Sequence, residues 1–97
     1  MSKFHITPRA ARDLAGIVRW SLDRWGAGRM ETCMRGLDDR LRWLAQHPLS
    51  GRTRQDIAPG YRCFAEGLHL VFYIAQEDAI AIIGVPHQAM DVGGHFA

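Results

Sequence analysis

The chain has 97 residues, 47% of them hydrophobic and 23% charged, with a formal net charge of +2. That length suits a single hydrophobic core, because domains run from roughly 50 to 200 residues, so residues 1–97 are read as one domain and a two-domain organisation is excluded. No apolar run approaches the ~20 residues that cross a bilayer, and Met1-Ser2-Lys3-Phe4-His5-Ile6 lacks the apolar stretch and small-residue site of a signal peptide, which predicts a cytoplasmic chain with no membrane partner.

The small net charge hides an asymmetry. All 12 Lys and Arg residues lie in residues 1–62 with six of the ten acids, so this segment is net +6 and the remaining 35 residues are net −4. A basic first half suits an acidic partner, although solvated helix faces carry arginine for solubility too.

Lys3-Phe4-His5-Ile6 alternates polar and apolar residues and predicts a short strand; Thr7-Pro8 then supplies a hydroxyl N-cap and a first helical residue with its φ preset. From Pro8 onward Ala11, Leu14, Ala15, Val18, Leu22 and Trp25 recur at three- and four-residue spacing, opposite Arg9, Arg12, Asp13, Arg19 and Asp23. The spacing predicts an amphipathic helix with that stripe on the core, ending at Gly26-Ala27-Gly28. A second helix carries the apolar stripe Met30, Cys33, Met34, Leu37, Leu41, Leu44 and Ala45 and closes at His47-Pro48, since a residue before proline avoids the α region. The short link makes the pair an antiparallel hairpin.

Residues 48–60 are punctuated by Pro and Gly, show no period and read as a basic loop. Three aromatic and β-branched runs, Tyr61 to Phe64, Leu68 to Ala75 and Ala79 to Val85, predict a meander whose third strand is central or covered on both faces. The tail from Pro86 to Ala97 is too glycine-rich near its end to read as helix. The order β-α-α-β-β-β predicts an α+β domain: a small, antiparallel-type sheet with the helix hairpin packed on one face.

Cys33 and Cys63 both fall in apolar patterns and read as buried, reduced thiols. The residues also bear on RNA cleavage at the 2′-hydroxyl, which needs a base, an acid for the leaving oxygen and cations for the phosphorane charge. His87 suits either proton role, with an ordinary pKa of ~6.5, and Arg52, Arg54 and Arg62 suit phosphate. A second titrating group is missing from the tail, so the set is incomplete unless His69 or His95 folds close. His87 reads equally as a strand-end residue held by Asp91, and Arg62 as half of a cross-strand ion pair with Glu66 or Asp91. The five histidines lack a two-ligand spacing, and neither a glycine-rich phosphate loop nor a nucleophile elbow is present, so no metal and no cofactor are expected.

The tryptophans are out of phase with the predicted core: Trp20 falls about 180° from the first stripe's centre and Trp43 about 120° from the second, with Gly36 beside it. Either the rings pack under loops and arginine stems, or Ile17, Trp20, Gly36 and Trp43 belong to apolar patches that a partner chain covers.

Five pieces in order, Thr7-Pro8 with Ala10, Asp13, Leu14 and Ile17, then Pro48-Leu49-Ser50-Gly51-Arg52, Gly60-Tyr61-Arg62 with Phe64, Leu70-Val71-Phe72-Tyr73, and Val85 with His87 and Asp91, resemble the ParE toxins of the RelE/ParE superfamily over nearly the whole chain. The resemblance implies a plasmid-stabilising type II toxin that inhibits growth, is neutralised by a ParD-like antitoxin and poisons DNA gyrase, with Arg62, His87 and Asp91 as candidate target contacts. It implies no sequence-specific DNA binding by this chain and no catalytic residues. A related branch cleaves messenger RNA on the ribosome, for which Arg54, Arg62 and His87 would be the residues here. A third reading is an inactive interaction domain of the same fold, because Pro86 and Ala89 depart from the family pattern, which often has an aliphatic residue and an arginine at those places.

Overall fold

The computed structural model describes residues 3–88 and 95–96. Strand β1 (Lys3–Ile6) leads into helix α1 (Pro8–Trp25) and helix α2 (Ala27–Gln46); β2 (Arg52–Thr53), β3 (Tyr61–Glu66), β4 (His69–Ala75) and β5 (Ala79–Gly84) follow. Thr7 caps α1 as its sequence predicts: the hydroxyl accepts from the Ala10 amide at 3.3 Å and donates to the Ile82 carbonyl at 2.7 Å, so one side chain starts the helix and ties it to the sheet. Gly26 alone separates the helices, with φ +86, a left-handed conformation that glycine adopts without a Cβ penalty. Helix α2 closes at His47, whose amide reaches the Leu44 and Trp43 carbonyls.

The sheet order is β1-β5-β4-β3-β2. The meander pairs are antiparallel, but β1 lies parallel to β5, with Lys3 opposite Ala79 and Ile6 opposite Ile82, so the sheet is mixed rather than antiparallel throughout. The reason is topological. A helix hairpin returns the chain to the end of the sheet it left; three reversals from β2 to β5 then bring the last strand alongside β1 in the same direction. The expected structureless loop also holds β2, two residues pairing Arg52 with Cys63 and Thr53 with Arg62. Strand β5 is interior, as its apolar run predicts, and a bulge between Phe72 and Tyr73 shifts its register with β4.

The core lies between the hairpin and one sheet face. Ala10 and Ile17 of α1 and Leu37, Leu41, Leu44 and Ala45 of α2 pack on Val71, Tyr73, Ile80, Ile82 and Val85. The α2 stripe is the one its sequence predicts. The α1 stripe is not: the residues buried on α1 are Ala10, Ile17 and Ser21, a face turned by roughly 90° from the expected one at 100° per residue. Small Ala10 and Ser21 let the backbone approach its neighbours closely, which leaves Ala11, Ala15, Leu22 and Trp25 exposed on the flank. Leu22 is 40% exposed and Trp25 37%. Ile17, expected on a partner-covered patch, is a core residue at 5% exposure, because the true core face runs through it. Cys33 and Cys63 are unbridged, the second buried.

Candidate functional site

Helix α1 places Arg12, Asp13, Gly16, Ile17 and Trp20 along one side of a cleft of about 390 Å³. The opposite wall comes from the strand ends and tail: His69, Val85, Pro86, His87 and His95. Beyond β5 the chain continues beside the start of β4, with the Leu70 amide on the Pro86 carbonyl at 2.9 Å and an antiparallel bridge between His69 and His87. That pairing puts the two imidazoles edge to face, with centroids 5.5 Å apart. His87 also meets the Trp20 indole at 6.5 Å.

Asp13 joins three parts of the molecule. Its Oδ2 accepts the Val85 amide at 2.8 Å and faces His95 Nε2 at 3.0 Å, linking α1 to the end of β5 and to the tail. The Arg9 guanidinium donates to the His95 carbonyl and stands over the Phe96 ring. Phe96 in turn lies over Phe72 with centroids 4.9 Å apart, against Gly84, where an added Cβ would sit 2.7 Å from the ring. That contact, with Arg54 above the same ring, accounts for the complete burial of Phe72 on the sheet face away from the helices.

Burial first, and then the charge of His87, push the His69 imidazole below its ordinary value, with Asp13 opposing. The cleft therefore holds a neutral ring at neutral pH beside two further histidines. It supplies the second titrating group that the sequence left open, since His69 does fold close to His87. The same shift fixes a pH dependence. The unfolded chain protonates this ring near ~6.5 and the folded chain only at lower pH, so below 6.5 the unfolded state binds the extra proton and stability falls with falling pH. Urea midpoints should drop between about pH 8 and about pH 5, and His69→Gln should flatten part of that slope. Identical slopes for the two proteins would remove His69 as a source.

Of the other expected residues, Ile17 and Trp20 line the cleft, and Arg54, Arg62, Gly36 and Trp43 do not. Arg62 donates to the Gly51 carbonyl at 2.8 Å and braces the loop, while Glu66, a partner considered for it, is held by Arg40 at 2.8 Å. Arg54 is chelated by Asp56 through two bonds of 3.0 Å. Trp20 is 38% exposed and meets Trp25 edge to face at 5.0 Å under Arg24. Trp43 is half-buried, stacked on His47 at 4.8 Å, tilted against Phe64 and under Arg40. Gly36 lines a separate groove of about 480 Å³ with Trp25, Cys33 and the β3–β4 turn. Asp91 and Ala89 lie outside the described residues. Among the described residues no group of three His, Cys, Asp or Glu side chains is placed to hold a metal ion, and no helix is long and apolar enough to cross a membrane. Asp13 enters the sequence analysis as part of the first piece of the resemblance, with no role assigned; the link it makes between α1, the end of β5 and the tail comes from the structure.

Comparison with known proteins gives consistent results. Residues 4–92 match the family model described as the ParE toxin of the type II toxin-antitoxin system parDE. Toxin ParE1 of Mycobacterium tuberculosis (strain ATCC 25618 / H37Rv) is 36% identical over 92 residues, covering 94% of each chain. Toxin ParE1 of Caulobacter vibrioides is 34% identical over 96 residues, covering 99% of each. Among solved structures, a chain of the chromosomal ParDE TA system from P. aeruginosa superposes with a TM-score of 0.74 at 19% identity, over 90% of this chain and 96% of that one, a likeness of fold.

Proposed function

The chain belongs to the ParE toxin family of type II toxin-antitoxin systems, and from that membership we propose that it inhibits growth by binding and poisoning DNA gyrase, is covered by a ParD-like antitoxin when neutralised, and serves to stabilise a plasmid. The observation that carries the antitoxin half is the second apolar face of α1. Ala11, Ala15, Leu22 and Trp25 repeat at helical spacing yet face solvent, and an exposed apolar stripe of that kind marks an interaction surface. Trp20 on the opposite side of α1, and Gly36 and Trp43 on α2, are further candidate contacts.

Gyrase poisoning without chemistry is supported by where the cations go. Arg54 and Arg62 are engaged in holding the loop, so neither stands beside His87 as the phosphate clamp that the nuclease reading asks of them. Arg62, His87 and Asp91 remain the candidate target contacts. One observation favours a second reading, ribosome-dependent cleavage of messenger RNA: His69 lies near enough to His87 for one imidazole to take a proton and the other to give one. Expression without antitoxin separates the two. Gyrase-dependent DNA breaks that persist in His87→Ala are the expected result, and ribosome-dependent mRNA cuts without DNA breaks, abolished by His87→Ala, would overturn it.

A further inference from the structure

The cleft along α1 has an internal polarity. At one end stand Arg12, Asp13 and His95; at the other, Trp20 and His87 form an aromatic corner with their rings 65° apart. Arg12 and Trp20 are eight residues apart on one helix, which separates the ends by about 12 Å. Between them Gly16 leaves the wall open, and an added Cβ there would meet nothing within 4 Å. The floor, Ile17, Val85 and Pro86, is apolar and buried. The volume of about 390 Å³ falls within the ~300–1,000 Å³ of small-molecule sites, which combine mostly apolar walls with a few convergent polar groups.

Arg12 and Asp13 are the Arg and Asp of the lining, with Arg24 beside Trp20. Arg12 opens on the polar end, Arg24 stands 5.1 Å over the Trp20 ring, and the one carboxylate present, Asp13, already accepts a backbone amide and faces His95. A ligand that fits is planar at one end and anionic at the other. We propose that this cleft binds a nucleoside monophosphate unit, with the base in the Trp20–His87 corner over Gly16 and the phosphate at Arg12 and His95. Stacking on an aromatic face tolerates any base, and a guanidinium and an imidazole suit a phosphate, so the site discriminates by shape and charge rather than by base identity. The reading goes beyond gyrase binding and is separable from it, since Gly16 and Arg12 are not among the target contacts.

The test uses the free chain with adenosine 5′-monophosphate, adenosine, inorganic phosphate and a short single-stranded oligoadenylate, followed by the ring resonances of His87 and His95 and by Trp20 fluorescence. Saturable binding of the monophosphate in the millimolar range or below, lost in Gly16→Leu, is the expected outcome. Gly16→Leu fills the cleft while replacing a helix-interior glycine, so the fold should tolerate it. Arg12→Gln should weaken the monophosphate by about tenfold and leave adenosine unchanged, and it keeps the test open if Gly16→Leu misfolds. Tighter binding of the oligonucleotide than of the monophosphate assigns the unit to a strand; equal or weaker binding assigns it to a free nucleotide. Absence of saturation by every probe, binding that survives Gly16→Leu, or an equal loss for monophosphate and adenosine in Arg12→Gln would overturn the proposal.

Discussion

Gly51→Ala is expected to destabilise the fold by about 3 kcal/mol, the sum of an overpacking cost of ~1–3 and the loss of bonds from groups that stay buried. A Cβ at position 51 would lie 2.7 and 2.8 Å from carbons of the Tyr73 ring. Tyr73 cannot yield, being fully buried between the helix hairpin and its own sheet. Its hydroxyl donates to the Pro48 carbonyl and accepts the Gly51 amide, each at 2.8 Å, and Arg62 adds a bond of 2.8 Å to the Gly51 carbonyl. Moving residue 51 away from the ring therefore breaks the two bonds made by its own amide and carbonyl, which fix the loop after α2. Burial raises the Tyr73 phenol well clear of ionisation at neutral pH, against the Gly51 amide, so the hydroxyl is available as a donor. Urea unfolding measures the loss, and the melting temperature should fall by roughly 10–20 °C in a domain of this size. A change below ~1 kcal/mol would mean that the loop shifts freely and that Tyr73 does not anchor it.

The contrast between the two helices explains what the sequence could tell. Helix α2 has one apolar stripe and buries it, so periodicity located both the helix and its inner face. Helix α1 has two. Its longer stripe, through Ala15, Leu22 and Trp25, looks inward by every rule of spacing, yet the residues the helix buries are Ala10, Ile17 and Ser21, two of them too small or too polar to register as core. Periodicity reports that a face is apolar and says nothing of whether this chain or another covers it. The parallel pairing of β1 with β5 was hidden for a related reason, as it joins residues more than 70 positions apart through a register that local propensity does not encode. The histidine cleft is more remote still. Asp13, His69, His87 and His95 come from a helix, a strand end, an extended exit and the tail, and their separation in sequence left only a condition to state: the set closes if His69 or His95 folds near.

If the exposed stripe of α1 is the antitoxin's seat, Leu22→Asp should weaken binding of a ParD-like antitoxin by ~2 kcal/mol or more, about thirtyfold or greater in Kd, because a carboxylate would be buried without a partner. The folded chain alone should hardly notice, since Leu22 is 40% exposed and surface substitutions usually stay within ~0.5 kcal/mol. Trp20→Ala should behave similarly, losing affinity with little change in stability, as its ring stands largely outside the core. Trp43→Ala should differ in kind. That ring already packs on His47, Phe64 and Arg40, so its removal costs about 2 kcal/mol of stability before any partner arrives. Calorimetry with the antitoxin, paired with urea unfolding of each variant, separates the two quantities. Unchanged affinity in Leu22→Asp, with the fold intact, would move the antitoxin off this flank of α1 and leave its apolar face without an occupant, and unchanged affinity in Trp20→Ala would do the same for the opposite side of the helix.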